Sequence, residues 1–273
     1  MVQVCSAKIQ KMKKIIGYNK ISNHPNKFFT VIIPCFNGQK FIAQAINSVL
    51  KQTFSDFELI IINDGSTDGT LKAIEHFAKQ DKRIHVVSNK KNRGLSFSRN
   101  KGLDLARGRF VAFLDSDDWW PEEKLTTYAH VHMQGHDLVF SNYDIVIQGT
   151  NKTIKEVKVP TSLSYNDLKY SNCIPLSSAA YNFEKIPHKR FPSIDVSEDW
   201  CFWLHSIKYL NHPIGIQKSL MFYRKHNDNI SKNKIKMIKK TWYIFRNKNK
   251  WSVMRSIYGI FRYLISKFQK YYI

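Results

Sequence analysis

The chain has 273 residues, with 43 Lys and Arg against 21 Asp and Glu, a net charge of +22 and 43% hydrophobic residues, enough for one medium domain with appendages. Four scattered cysteines (Cys5, Cys35, Cys173, Cys201) lack C-x-x-C spacing, which argues against a disulfide frame or a zinc site and for a reducing compartment. No run reaches the roughly 20 apolar residues that span a bilayer, and the start has no apolar core of signal-peptide length, so export is not expected.

The charge divides the chain. Residues 1–27 carry six Lys and no acid, and residues 232–273 carry twelve Lys and Arg and no acid. These two ends form a basic leader and a basic aromatic tail around an ordinary globular body, 28–231.

In chain order, Phe29–Pro34 is a short apolar, β-branched run that predicts a strand. Phe41, Ala45, Ile46, Val49 and Leu50 then fall on one helical face. Phe57–Ile62 predicts a second strand, followed by "NDGSTDGT", where Ser66 or Thr67 can cap a helix running to about Gln80. Ile84–Val87 predicts a third strand. "NRGLSFSRNKGLDLARG" predicts a helix from Gly94 closed by Gly108, and Phe110–Leu114 a fourth strand. This alternation predicts a mostly parallel sheet with helices on both faces. Pro121 opens a helix to about Gln134. Strands are expected at Leu138–Val146, Ile154–Val159 and Leu176–Phe183, then a helix from about Glu198 and a last strand ending in "MFYRKH".

Open parallel sheets bind ligands at the C-terminal ends of their strands. Asp64 follows the second strand, and Asp115, Asp117 and Asp118 of "DSDDWW" follow the fourth. Carboxylates gathered there suit a hard cation, Mg²⁺ or the softer Mn²⁺, which one or two carboxylates often hold together with substrate phosphates. The competing reading is that these acids cap the Pro121 helix and bind loop amides.

Five blocks carry a resemblance: "VIIPCFNGQKFIAQAINSVLKQTFSDFELIIINDGSTDGT", "NRGLSFSRNKGL", "GRFVAFLDSDDWWPEEKL", "SEDWCFWL" and "YRKHNDNIS". In this order, over about residues 28–231, they resemble the family 2 glycosyltransferases of GT-A fold. The resemblance implies an inverting sugar transferase that takes a nucleotide-sugar donor and a divalent metal, Mn²⁺ or Mg²⁺, through a DXD-type motif. By the same resemblance, Asp64 would bind the nucleotide base, with Pro34 and Phe36 lining its pocket. Arg99 would lie near the base or diphosphate, Asp115 would take the ribose, and Asp117 and His226 the metal. Asp199 would be the catalytic base, and Glu198 would position it or the acceptor. Arg224 is a further candidate for the departing diphosphate. Adjacent helical residues point about 100° apart, so Glu198 and Asp199 are not expected to share one task. An acidic pair at a helix start also has a purely structural reading.

Two positions depart from the family pattern. Gln39 stands where Glu is frequent, and Cys201 where "EDWD" has its second Asp. Cys201 is expected to pack rather than attack. Trp119 and Trp120 can stack on an acceptor sugar or pack beneath the Pro121 helix. His130, His132 and His136 match no motif and read as structural.

In the tail, Met254, Ile257, Tyr258, Phe261, Ile265 and Phe268 share a stripe; Arg255, Arg262 and Ser266 share another, and Trp251, Tyr263, Tyr271 and Tyr272 add aromatics. This composition suits an amphipathic helix in the interface of an anionic membrane; the competing reading packs the apolar stripe on the body. Nucleic acid is not an expected partner, because the charge is terminal and no nucleic-acid motif is present. The sequence is therefore expected to encode a bacterial-type enzyme on the cytoplasmic face of the cell membrane. It would use a UDP-sugar by preference and a lipid-linked or growing acceptor, as in lipopolysaccharide or capsule synthesis. The alternative is a non-catalytic nucleotide-sugar- or membrane-binding module on the same fold.

Overall fold

The computed structural model describes residues 27–150, 152–187, 190–194, 197–226 and 234–272. Nearly all of the basic leader lies outside these residues.

The first four strands, β1 (Phe29–Cys35), β2 (Phe57–Asn63), β3 (Ile84–Ser88) and β4 (Phe110–Phe113), form a parallel block in the order β3-β2-β1-β4. Every residue of β1, β2 and β4 is buried, as expected for strands covered on both faces. The crossover helices are α1 (Ile42–Leu50), α2 (Thr70–Gln80) and α3 (Leu95–Leu105). Next come α4 (Lys124–Met133), β5 (Leu138–Ile147), β6 (Thr153–Val157), the short turn α5 (Tyr165–Leu168) and β7 (Ala179–Asn182). Helix α6 (Glu198–Ser206) and strand β8 (Ile214–Lys225) complete the body. β7 joins the parallel block to the second half: it is antiparallel to both β4 and β5, while β8 runs parallel to β5.

Strand alternation sends side chains to two cores. Val31, Ile33, Leu59 and Ile61 pack with α1 and α4 through Ile46, Val49, Leu125 and Tyr128. Ile32, Ile60, Val111 and Phe113 pack on the other face with Leu103 of α3 and with Trp200, Phe202 and Trp203 of α6.

Several local expectations need correction. The helix after β2 starts at Thr70 with Gly69 before it, not at a Ser66 or Thr67 cap. Asp68 accepts the Thr70 amide instead, at 3.0 Å. Residues 121–123 form a turn, so α4 starts at Lys124. The strand expected at Leu176–Phe183 shortens to β7, because Leu176–Ser178 is a 3₁₀ turn. Gly108 closes no helix. It lets the chain approach β1, where a Cβ would lie 2.4 Å from the Thr30 backbone nitrogen.

The tail is two helices, α7 (Lys234–Tyr243) and α8 (Val253–Tyr272), joined through a π turn at Ile244–Lys248. Ile244, Phe245 and Trp251 enter the second core beside Trp200. Phe245 and Trp251 stack at 4.6 Å, and Tyr263 lies 6.4 Å from Trp200. Of the expected stripe, Met254, Ile257, Phe261, Ile265 and Phe268 face away from the body, with Met254 76% exposed, whereas half-exposed Tyr258 also meets Tyr170 of the body. The inward face is built from other residues, Ser256 and Tyr263 among them. The side chains of Tyr271 and Tyr272 lie outside the described residues. No helix among the described residues is long and apolar enough to cross a membrane.

Candidate active site

The loops after β1 and β2 are laced together. Asn37, at φ 49°, donates its backbone N–H to Ser66 Oγ at 3.0 Å, and its Oδ1 accepts the Thr67 amide at 2.9 Å. Gln39 Oε1 accepts the Gly69 amide at 2.8 Å, so the residue that departs from the family pattern ties the two loops together. Pro34 is buried in β1, whereas Phe36 stands 46% exposed on the rim.

Asp64 sits at the end of β2, its amide bonded to the Cys35 carbonyl at 2.8 Å. Its carboxylate accepts from Asn89 Nδ2 (2.7 Å), the Arg93 amide (3.0 Å) and the Gly94 amide (2.9 Å). A carboxylate has about four acceptor positions, so most of Asp64 organises the turn that starts α3. Gly94 holds φ at 88°, a conformation that suits glycine.

Three carboxylates after β4 tolerate their closeness because each takes a different partner. Asp115 Oδ1 receives Arg99 Nη2 at 2.8 Å, and its amide donates to Ser177 Oγ at 3.0 Å. Asp117 Oδ2 meets His226 Nε2 at 2.9 Å. Asp118 is buried and accepts the Arg224 amide at 3.0 Å, pinning β8 to this loop. Burial, and then the Asp115 charge, raise the Asp117 carboxyl above its usual range. Burial and then the Asp117 charge raise Asp118 further. The reading that these acids serve loop amides therefore holds for Asp118, while Asp115 and Asp117 remain on the rim. Arg224 lies over the rings of Trp119 and Phe41, at 4.4 and 4.8 Å, and donates to the Asp117 carbonyl and to Gln44. These bonds commit it to positioning the acidic loop.

The second acidic pair begins α6. Ser197, just before it, sits at φ 63°, a left-handed conformation that non-glycine residues adopt at a cost and that clusters at functional sites. Glu198 is buried and bonds Arg99 Nη1, so the 3%-exposed Arg99 bridges Glu198 and Asp115. Burial alone would lower the Arg99 pKa; the carboxylates of Asp115, Glu198 and Asp199 more than offset it and raise it. Asp199 turns elsewhere. Its Oδ2 accepts Asn172 Nδ2 at 2.7 Å, and its Oδ1 accepts the Trp200 amide at 2.8 Å. Burial and the neighbouring Glu198 raise the Asp199 carboxyl to about 6, with Arg99 pulling the other way. The two carboxylates thus have separate partners, and Glu198 answers to Arg99.

Trp120 is buried and donates Nε1 to the Ser177 carbonyl at 2.9 Å, whereas half-buried Trp119 stacks on Phe222 at 5.1 Å. His132 is core: it stacks on Phe110 at 3.9 Å, and burial lowers its pKa to about 3. His136 bonds the His212 carbonyl and His130 neighbours Gln134. Cys201 packs half-buried on α6 against the second core. No group of three or more His, Cys, Asp or Glu among the described residues could hold a metal ion alone. Asp117 and His226 do converge as a carboxylate–imidazole pair. Two protein donors fit a cation whose remaining positions come from a diphosphate. Sequence reasoning missed Asn172, in a loop, and Ser177, in the 3₁₀ turn before β7; neither lies in a motif, and both reach the site only through the fold.

The profile of "Glycosyl transferase family 2" matches residues 30–204, well over half of the chain. TuaG of Bacillus subtilis, provisionally named a teichuronic acid biosynthesis glycosyltransferase, is 34% identical over 86% of this chain and 93% of its own length. WfgD of Escherichia coli, named a UDP-Glc:alpha-D-GlcNAc-diphosphoundecaprenol beta-1,3-glucosyltransferase, is 31% identical over 78% of this chain and 83% of its own. Among solved structures, residues 1–349 of TarS from S. aureus in complex with UDP-GlcNAc superimpose with a TM-score of 0.68 at 23% identity, covering 88% of this chain and 72% of that one. A mannosyltransferase from Pyrobaculum calidifontis with GDP-Man and Mn²⁺ gives 0.53 at 16% identity, covering 89% and 72%. At such identities the structures speak for the GT-A fold alone. The profile match and the sequence relatives go further: this chain is an enzyme of glycosyltransferase family 2.

Proposed function

We propose that the enzyme transfers one sugar, with inversion, from a UDP-linked donor to a lipid-linked or growing cell-surface glycan, and that Asp199 is the general base. The observation that carries this reading is the Asp199 carboxylate: held by Asn172 and the Trp200 amide, kept apart from the Glu198–Arg99 pair, and raised toward neutrality, where a general base works best. The acceptor hydroxyl attacks the anomeric carbon on the face opposite the diphosphate and passes its proton to Asp199. The bond to the diphosphate breaks as the new glycosidic bond forms, and the departing oxygen keeps the electron pair. UDP is preferred because WfgD is named for UDP-Glc and TarS binds UDP-GlcNAc.

On the donor side, Asp64 and exposed Phe36, with Pro34 behind it, flank the place for the base. Asp115, braced by Arg99, would take the ribose. Asp117 and His226 would hold Mn²⁺ or Mg²⁺, which when bound would neutralise charge on the leaving diphosphate. The basic tail, with its outward apolar stripe, rests on the anionic cytoplasmic face of the cell membrane, where lipid-linked acceptors are presented.

Asp199→Asn tests the assignment. Transfer should fall at least about a hundredfold, while UDP-sugar binding measured by calorimetry stays within a few-fold of the parent. Parental turnover in that variant would place the base elsewhere. Absence of transfer from every nucleotide sugar by the unmodified enzyme, across a panel of lipid-linked acceptors, would favour a binding module instead.

A further inference from the structure

Asp199 does not hold its own orientation. One oxygen takes the amide of the next residue, which any helix start provides, and the other takes Asn172 Nδ2 at 2.7 Å, from a loop 27 positions earlier. The Asn172 amide is itself fixed, because its Oδ1 accepts the Ile174 N–H at 3.3 Å, which turns the NH₂ group toward Asp199. The stretch just before Asn172 is anchored twice. Trp200 Nε1, beside Asp199, donates to the Leu168 carbonyl at 2.6 Å. Tyr170 packs edge-on against Trp251 and Tyr258 of the tail, at 5.7 and 5.8 Å, beneath the Arg262 guanidinium at 5.1 Å. Trp200 meets the tail again through Phe245 and Tyr263. The tail therefore turns most of its apolar stripe outward and, through Tyr258, Tyr263 and Trp251, backs the wall that carries the base.

We infer that Asn172 is a positioning residue for Asp199, and that the tail helix α8 keeps Asn172 in place by clamping Tyr170. The inference rests on the reading of Asp199 as base. Asn172 donates to the ionised carboxylate, selects its rotamer and leaves the outer lone pairs for the acceptor hydroxyl. The other charged groups acting on Asp199 are Glu198, Arg99 and Asp115. Asn172 is the neutral donor that can be removed without altering their charges. The clamp also gives a tail that touches lipid a direct mechanical link to the base.

The test is Asn172→Ala in the full-length enzyme, with UDP-sugar and a lipid-linked acceptor, read as kcat, donor KM and the pH profile of kcat/KM. A hydrogen bond to a charged group is lost, so kcat should fall roughly tenfold or more while donor KM changes less than about twofold. The bond favours the ionised form, so its loss raises the carboxyl pKa and moves the acid limb to higher pH. Tyr170→Ala should move kcat and the limb in the same directions by less, with donor KM unchanged. Asn172→Ala with parental kcat and acid limb overturns the inference. So does a variant in which kcat and Tm fall and donor KM rises with an unmoved limb, since that pattern is merely structural. Parental values in Tyr170→Ala remove the tail from the mechanism. Failure of the underlying reading looks different: Asp199→Asn would then turn over at the parental rate.

Discussion

Arg99→Met is the most informative perturbation of the site's frame. Arg99 is 3% exposed and pairs with Glu198, whose side chain is 8% exposed, and with Asp115, at 37%. Removing the guanidinium leaves Glu198 as a buried charge without its partner, a change that costs about 3–5 kcal/mol in comparable sites. For a protein of this size each kcal/mol lowers Tm by about 2–4 °C, so the expected fall is about 6–20 °C. Asp115→Asn should cost only about 0–1 kcal/mol, because that carboxylate is substantially hydrated. The double variant Arg99→Met/Glu198→Gln should recover part of the loss, since the stranded charge is gone and the two sites couple. Calorimetry or thermal fluorescence on the ligand-free parent, these three variants and Glu198→Gln alone reads the whole cycle. A single Arg99→Met variant within about 2 °C of the parent, or a strictly additive double, would refute the claim that this bridge is a buried, mutually dependent charge pair.

The acid limb of kcat/KM should lie near pH 6, because a base whose carboxyl is raised to about 6 is ionised, and active, only above that value. Activity lost only below about pH 4 would show an unperturbed carboxyl. Asp117→Asn and His226→Ala should each abolish stimulation by Mn²⁺ and weaken UDP binding in its presence, without changing chelator-treated UDP binding. Unchanged stimulation in both variants would move the metal elsewhere. Replacing exposed Ile257 and Phe261 by Asp should abolish co-sedimentation with vesicles containing anionic phospholipid while leaving transfer to a water-soluble acceptor analogue within about threefold. Parental vesicle binding would exclude this face as the lipid contact.

Much of the donor half can be read from sequence. Hydrophobic alternation is local, so the runs at 29–34, 57–62, 84–87 and 110–114 become β1 to β4, and parallel order then brings Asp64, Asp115 and Asp117 to one edge. The roles of identical residue types are less legible. Asp118 looks like Asp117 in "DSDD", yet β8 buries one beneath the Arg224 amide and leaves the other on the rim. Glu198 and Asp199 are adjacent in the chain. Which of them meets Arg99, 99 residues from Glu198, is decided by how α3 and α6 pack on the same face of the sheet.

The tail shows the division most plainly. Its period of apolar residues is a property of the chain alone, and it specifies an amphipathic helix with a stripe from Met254 to Phe268. Which face turns inward is not in that period. Trp251 and Tyr263 are buried because Trp200, Phe245 and Tyr170 offer them aromatic partners, and the stripe, Tyr258 excepted, is left outside. Short-range pattern sets the element and its two faces; contact between segments far apart in the chain, Asn172 with Asp199 and Arg99 with Glu198, sets the chemistry, because burial and charge pairing exist only once those segments meet.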